Sequence, residues 1–372
     1  MKNYLLILIA ILFAMPLFAQ MPYNAAAPNG YTKKAMVSEQ VGLTEVSITY
    51  HRPAVNGREG KIWGAVIHKG FIDQGFGSRK PSPWRAGANE NTVIEFDHDV
   101  KIEGRVLAKG KYSFFIAYDP LESIIIFSKR TDGWGSFFYD ETDDALRVAV
   151  KPQPLEKSVE FLKYEFSGQT INSAVISLSW EKLSVSFKME VDHLKQQFEA
   201  FVAESQHPRG FTSQGLNTAA TWSLQNNYQL EKGLEWASLA TGQNFPGDPT
   251  SFPALTTKAA ILDKLGRTTE SAVVIRTALP LGNIGQLQQY GRQLLTTKNT
   301  KAAMEVFQYN YDKNPDNFMA LMGMVRGLSA NTEYTKALEY ANKALPLAPN
   351  DAGRLALQAM IEKLKAGKDV NQ

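Results

Sequence analysis

Residues 182–202, KLSVSFKMEVDHLKQQFEAFV, mark a change in the hydrophobic period of the chain. In the first half of this segment, apolar residues from Leu183 to Val191 alternate with polar ones, as in a strand with one buried face. In the second half, Leu194, Phe198 and Phe201 recur at helical spacing. The segment therefore predicts that a β domain ends at residue 191 and that helices follow it.

The part of the chain before this change contains short strand-like runs and no helical pattern. Turn residues such as Asp119-Pro120 separate the runs. Between the first and last strands, the expected runs are Thr92–Phe96, Val100–Glu103, Lys111–Tyr118, Ser123–Ser128, Ala145–Lys151, Val159–Phe166 and Ala174–Trp180. Many short strands without helices between them predict an antiparallel β-sandwich or barrel over residues 35–191.

The part of the chain after the change contains an internal repeat. Ala303 and Pro315 are followed 34 residues later by Ala337 and Pro349, and this is the period of tetratricopeptide repeats. Two less regular helix pairs precede them, and about three repeats are enough for a stable stack. The all-β part is therefore predicted to continue into a tetratricopeptide-like α-solenoid over residues 215–366, after a helical linker (192–214) and before a C-terminal tail (367–372).

The first 19 residues have the pattern of a secretory signal peptide. Lys2 precedes an apolar run from Leu5 to Leu17, and Ala19 suits the position before a cleavage site. The run is shorter than the ~20 residues of a membrane-spanning helix. We expect cleavage near Ala19, a flexible segment over residues 20–34, and an exported protein, periplasmic or extracellular, that is soluble and has no transmembrane segment once mature.

The composition excludes several classes of protein. The chain is 44% hydrophobic and 21% charged, as in ordinary globular proteins, and its net charge of +3 provides no basic surface for nucleic acid. Without Cys it has no disulfide, thiolate metal site or Cys nucleophile. The five His lack metal-ligand spacing, and nucleophile-elbow and phosphate-binding motifs are absent. The sequence thus predicts no cofactor, metal or catalytic residue, and favours a non-catalytic protein while leaving an enzyme open.

The stretch Pro83–Glu90, PWRAGANE, is unlike a generic strand. It is flanked by Tyr50-His51-Arg52-Pro53, Gly57-Arg58, Leu107–Tyr112, Trp134-Gly135 and Ala145–Val148. Over residues 33–190 this ordered set resembles an uncharacterised family of exported bacterial proteins, catalogued as domain of unknown function 2911. The resemblance implies an all-β domain in a bacterial cell envelope, often followed by helical repeats, and it implies no reaction.

Eight polar or aromatic residues of the β domain are candidates for a ligand site. They are Arg52, Arg58, Trp84, Arg85, Asn89, Glu90, Trp134 and Arg147. Guanidinium groups bind carboxylate or phosphate through paired hydrogen bonds, and aromatic faces suit sugars or cations. The alternative interpretation is structural: Arg85 pairs with Glu90 or an Asp, and the Trp side chains fill the core.

The main functional hypothesis is a non-catalytic cell-envelope protein whose helical repeats bind a protein or peptide, because solenoid stacks present extended concave surfaces. Its β domain then serves as a scaffold or recognition module. One alternative makes the β domain bind a small molecule or glycan. Another is a hydrolase of envelope glycan or peptide, which requires two carboxylates, or a carboxylate and a His, facing each other in a cleft.

Overall fold

The computed structural model describes residues 32–372. The chain forms two compact units, a β unit that ends at Gln196 and a helical unit that begins at Gln197. The signal peptide predicted for residues 1–19 lies outside the described residues. The segment 20–34, predicted to be flexible, lies outside them up to residue 31. Its last residues, 32–34, instead begin the first strand, because main-chain pairing with residues 51–53 orders them.

The β unit contains ten described strands: β1 (Thr32–Val41), β2 (Thr44–Pro53), β3 (Thr92–Phe96), β4 (Val100–Ile102), β5 (Arg105–Leu107), β6 (Gly110–Ala117), β7 (Ser123–Ser128), β8 (Asp144–Val150), β9 (Gln153–Ser167) and β10 (Ser173–Glu190). They form a six-stranded sheet in the order β1-β2-β3-β6-β7-β8 and a four-stranded sheet in the order β5-β4-β10-β9. All neighbouring strands are antiparallel. Of the two predicted forms, the β unit is therefore a sandwich of two sheets.

The core of the β unit lies between these sheets. Phe187 of β10 packs on Phe114 of β6 and Phe127 of β7, with ring centroids 5.6 and 5.9 Å apart. The apolar residues that alternate along β10 form a buried face, as predicted, since Phe187 and Met189 are at most 2% exposed. At one end of the core Trp180 stacks on Trp84 at 6.2 Å.

The helical unit begins at Gln197, within the first helix. The helices are α1 (His193–Glu204), α2 (Ser213–Asn226), α3 (Leu230–Ala240), α4 (Phe252–Lys264), α5 (Thr268–Ala278), α6 (Ile284–Thr296), α7 (Thr300–Lys313), α8 (Phe318–Ala330), α9 (Tyr334–Ala344) and α10 (Asp351–Lys365). From α2 to α9 consecutive helices pack in pairs. The predicted fold class, antiparallel sheets followed by tetratricopeptide-like helix pairs, is confirmed. Within residues 32–372, no helix has the length and apolar character needed to cross a membrane.

Small residues explain the close packing of the last two pairs. Phe307 of α7 is fully buried and faces Gly291 of α6. A Cβ on Gly291 would lie 2.3 Å from the Phe307 ring, so only glycine fits there. At the equivalent positions 34 residues later the sizes are exchanged, with Val325 in place of Gly291 and Ala341 in place of Phe307. Both of these are also fully buried, so a larger and a smaller residue again occupy the two equivalent positions.

The C-terminal residues 367–372, predicted as a tail, pack against α8. The Ser329 hydroxyl donates to Asp369 Oδ1 at 2.8 Å and accepts from the main-chain N–H of Val370 at 2.9 Å. Val370 is 6% exposed. This segment therefore covers part of α8 in the last helix pair.

Candidate functional site

The Trp84–Glu90 loop owes its shape to residues with left-handed backbone. Ala86 has φ of +51° and Asn89 has φ of +58°, both in the region that non-glycine residues seldom adopt. The Ala86 carbonyl accepts hydrogen bonds from Thr92 Oγ1 of β3 at 3.0 Å and from Tyr164 OH of β9 at 2.8 Å. One carbonyl thus ties the loop to both sheets, and this bonding offsets the cost of the left-handed conformation.

Trp84 and Arg85 are held by bonds within the same loop. Trp84 is 8% exposed, and its indole N–H donates to the Gly87 carbonyl at 3.1 Å. Arg85 Nη1 donates to the Asn89 carbonyl at 2.5 Å, and its guanidinium lies 5.0 Å from the centre of the Phe137 ring. Burial lowers the pKa of Arg85. Among the described residues no carboxylate pairs with Arg85, so the ion pair that the structural interpretation assigned to it is wrong.

Glu90 pairs with His51 instead. His51 Nε2 lies 2.7 Å from Glu90 Oε2, and His51 Nδ1 lies 3.1 Å from Asn89 Nδ2. The His51 side chain, on β2, is 9% exposed. Sequence reasoning did not nominate His51, although it stands in the Tyr50-His51-Arg52-Pro53 flank of the resemblance. The pair meets one condition for a hydrolase site, a carboxylate facing a His, but neither residue lines either of the cavities described below.

Three other nominated residues serve the fold or lie on the surface. Arg52 Nε donates to the Leu162 carbonyl at 2.9 Å, and Arg58 donates to the Val55 carbonyl at 2.9 Å. Both guanidinium groups are thus held by main-chain carbonyls, and the Val55 carbonyl also accepts from the main-chain N–H of Arg58 at 3.2 Å. Trp134 is 53% exposed. The nominated residues therefore do not converge on one site.

The eighth nominated residue, Arg147, lines a cavity of about 350 Å³ on the outer face of the six-stranded sheet. The lining of this Arg147 cavity is Phe71, Lys80, Pro81, Tyr139, Asp140, Glu141, Thr142 and Arg147. Arg147 Nε donates to Asp144 Oδ2 at 2.6 Å, and Arg147 Nη2 donates to the Tyr139 hydroxyl at 2.8 Å. Burial and the bond to Asp144 raise the pKa of Tyr139 well above its usual value, so its hydroxyl remains a donor.

The acidic groups at this cavity are already occupied. Lys80 forms an ion pair with Asp140, which also accepts from the main chain and hydroxyl of Thr142. These bonds lower the pKa of Asp140 to about 2, so it holds no proton to donate near neutral pH. The cavity thus presents an ionised Asp140 paired with Lys80, near the Tyr139 hydroxyl. Over residues 32–372 no group of three His, Asp or Glu is placed to hold a metal ion.

A second cavity, of about 430 Å³, lies in the helical unit between α2, α4 and α6. We call it the carboxamide groove. Its lining is Asn217, Thr221, Leu224, Gln225, Phe252, Pro253, Thr256, Thr257, Ala260, Gln286, Gln289, Tyr290 and Gln293. Phe252 of α4 and Tyr290 of α6 meet edge to face, with ring centroids 6.0 Å apart. The lining contains no charged residue, which sets this surface apart from an ordinary solvated helix face.

Several polar groups of the groove have no bond within the described part of the chain. The exposed carboxamides of Gln225, Gln289 and Gln293 bond to no other described residue. The hydroxyl of Tyr290, which is 5% exposed, and Oδ1 of Asn217 are buried without a partner. Buried polar groups are normally satisfied. The groove therefore presents three exposed carboxamides and two buried polar atoms whose hydrogen-bonding capacity is unfilled within the described chain.

Other carboxamides of the helical unit show the contrast. Asn299, Asn317 and Asn350 accept from main-chain N–H groups and cap α7, α8 and α10. In the groove, Gln286 has such a task, because it completes the capping box of α6 with Asn283, whereas Gln225, Gln289 and Gln293 have none. Sequence reasoning missed them because Gln and Asn on a helix resemble a solvated surface, and only the stacking of three helices brings them together.

Comparison with known proteins finds a family match for the β unit. The β unit matches a family model, described as "Protein of unknown function (DUF2911)", over residues 32–189. The resemblance predicted from the Trp84–Glu90 stretch is thereby confirmed: a region that matches this family model is followed by helical repeats. No curated protein matches the chain.

Solved tetratricopeptide-repeat proteins are similar to part of the chain. YrrB, described as a TPR protein with an unusual peptide-binding site, is 16% identical and covers 47% of this chain and 88% of its own, with a TM-score of 0.28. A tetratricopeptide repeat protein from Parabacteroides merdae is 18% identical and covers 47% and 71%, with a TM-score of 0.30. These TM-scores are low, so the assignment of paired helices depends on the 34-residue offset and on the helices themselves.

Proposed function

We propose that this protein is an exported, non-catalytic cell-envelope protein that binds a segment of a partner protein in the carboxamide groove. The β unit acts as its scaffold or as a second recognition module. The observation that carries the proposal is the groove itself, where neighbouring helices present unbonded polar groups around a cavity of about 430 Å³. The signal-peptide pattern of residues 1–19 supports export, and the family resemblance supports an envelope setting.

Helical stacks suit this role for a physical reason. Each helix pair contacts only its neighbours, so the stack leaves a continuous surface that it does not need for its own stability. In the groove that surface comes from α2, α4 and α6. The cavity has the size of typical ligand sites in proteins.

Site-specific photo-crosslinking of the full chain tests the proposal in the cells that produce it. A photoreactive amino acid replaces Gln289 in the groove and, as a matched control, Gln358 on the exposed face of α10. We expect position 289 to crosslink to one defined segment of one protein, identified by mass spectrometry, and position 358 not to do so. Equal crosslinking from both positions, or none from position 289, would refute the proposal.

A second candidate function is binding of a small molecule or glycan in the β unit. The Arg147 cavity favours it, because cationic, acidic, hydroxyl and aromatic groups surround about 350 Å³ of space. The test is saturation-transfer NMR of the full chain with N-acetylglucosamine oligomers, comparing wild type with Thr142→Val and with the exposed control Thr170→Val. Signal lost only in Thr142→Val supports the site. Signal that is absent, or equal in all three proteins, removes it.

A further inference from the structure

We propose that the carboxamide groove binds an extended, uncharged polypeptide segment through the main chain of that segment, with little dependence on its side chains. This inference rests on the proposed function and specifies its ligand class. The β unit takes no part in this binding. It follows from three observations: the charge of the lining, the spacing of its polar groups and the buried groups left without partners.

The first observation is that the lining carries no charge. A charged side chain of a ligand would lose water on entering the groove and would gain no opposite charge, which is costly. An uncharged segment does not incur this cost. The groove therefore selects against acidic and basic segments, although it need not recognise any particular neutral side chain.

The second observation is the spacing of polar groups on the two walls. On α2, Asn217, Thr221 and Gln225 are four residues apart, and on α6 Gln289 and Gln293 are four residues apart. A helix rises 1.5 Å per residue, so such groups repeat about every 6 Å along one face. In an extended chain, groups that point the same way repeat every two residues, or about 6.6 Å. The two repeats are close enough for successive polar groups of a wall, the two carboxamides on α6 and the carboxamides of Asn217 and Gln225 with the Thr221 hydroxyl between them on α2, to meet successive peptide groups.

The chemistry of the carboxamide fits this register. Each Asn or Gln side chain offers one carbonyl acceptor and one NH₂ donor, and each peptide group offers one carbonyl and one N–H. A strand between the walls can thus bond on both of its edges, as it would in a sheet. Sugar hydroxyls could also bond to carboxamides, but a two-residue repeat is a property of the polypeptide chain.

The third observation is that Tyr290 OH and Asn217 Oδ1 are buried and unbonded in the described chain. Each stands in the groove lining, one on each wall. Leaving such groups unsatisfied costs free energy. A bound main chain that displaces the solvent and moves these side chains slightly would satisfy them.

Fluorescence polarisation with the full chain tests the inference. The probe is a short fluorescein-labelled peptide of Ala, Ser, Thr and Gln. It is compared with a scrambled version, a version carrying a central Asp or Lys, and a version with alternate main-chain nitrogens methylated. We expect scrambling to change the affinity by less than about threefold, and main-chain methylation or a charge to weaken it about tenfold or more.

Protein variants locate the binding. The double variant Gln289→Ala and Gln293→Ala should weaken binding of the parent peptide about tenfold, whereas Gln358→Ala should leave it unchanged. Absence of saturable binding, methylation that has no effect, or a labelled N-acetylglucosamine oligomer that binds where the peptide does not would each overturn the inference. If crosslinking still places a partner at Gln289, the proposed function survives and only the ligand class is wrong.

Discussion

Replacing Gly291 by Ala tests the packing that defines the tetratricopeptide-like pairs. The new Cβ on α6 would lie 2.3 Å from the Phe307 ring. The ring cannot retreat, since Cβ atoms added at Gly323 and Gly327 of α8 would lie 2.6 and 2.9 Å from it. Overpacking costs about 1–3 kcal/mol, whereas Ala exceeds Gly in helix propensity by only about 1 kcal/mol. We therefore expect the helical unit to lose up to about 2 kcal/mol in free energy of unfolding.

The assay is urea unfolding of the full chain, with far-ultraviolet circular dichroism following the helices and hydrogen exchange at α6 separating the helical unit from the β unit. Gly285→Ala on the same helix is the matched control, because its nearest neighbour is Asn283 Oδ1 at 3.5 Å. We expect this control to be unchanged or more stable by up to about 1 kcal/mol. If Gly291→Ala proved as stable as Gly285→Ala, the size-exchange account of the repeat would be wrong.

Further outcomes concern the groove, the Trp84–Glu90 loop and the Arg147 cavity. Tyr290→Phe removes an unbonded hydroxyl, so urea unfolding should give a free energy of unfolding within about 0.5 kcal/mol of wild type. The affinity for the neutral peptide should fall, and an unchanged affinity would exclude the Tyr290 hydroxyl from binding. Tyr164→Phe and Thr92→Val should each lower the free energy of unfolding by about 1 kcal/mol. Together they should cost about 1 kcal/mol more than the sum, since the Ala86 carbonyl then loses both partners; strict additivity in a double-mutant cycle contradicts this. The lowered pKa of Asp140 means that its ionised form stabilises the fold above pH 3.8 and that this contribution disappears as pH falls through about 2. Asp140→Asn should therefore lower the urea midpoint near neutral pH, and the midpoints of variant and wild type should become equal in acid. A difference between the two midpoints that does not change with pH would contradict the role of the ion pair.

The fold could be predicted because its determinants are local. Alternation over residues 183–191 fixes which face of β10 is buried, and the change of period after Val191 follows from the sequence alone. The offset from Ala303 to Ala337 predicts the last helix pairs, since small residues must recur wherever helices approach closely. Residues 32–34 were misassigned because, within residues 32–372, β1 is the edge strand of its sheet, so residues 33 and 34 are exposed and resemble a polar linker.

The candidate sites could be predicted only in part, because they depend on contacts distant in sequence. Arg52 bonds to the carbonyl of Leu162, more than a hundred residues away, and no local pattern reveals that this Arg is occupied. Arg147 was nominated for its charge, while its bond to Tyr139 and the cavity beside it follow from the fold of two loops. The carboxamide groove left no signal, since exposed Gln residues on single helices look ordinary until the helices stack.

The Ala86 carbonyl gives the Trp84–Glu90 loop a significance beyond this chain. Thr92 and Tyr164 donate to this carbonyl from different sheets, so the stretch of sequence that carries the family resemblance also links the two sheets. A family resemblance carried by the Trp84–Glu90 stretch is therefore evidence about how the two sheets are joined, and not about a ligand. In this chain the stretch therefore carries the family resemblance and holds the two sheets together, while the two cavities lie elsewhere.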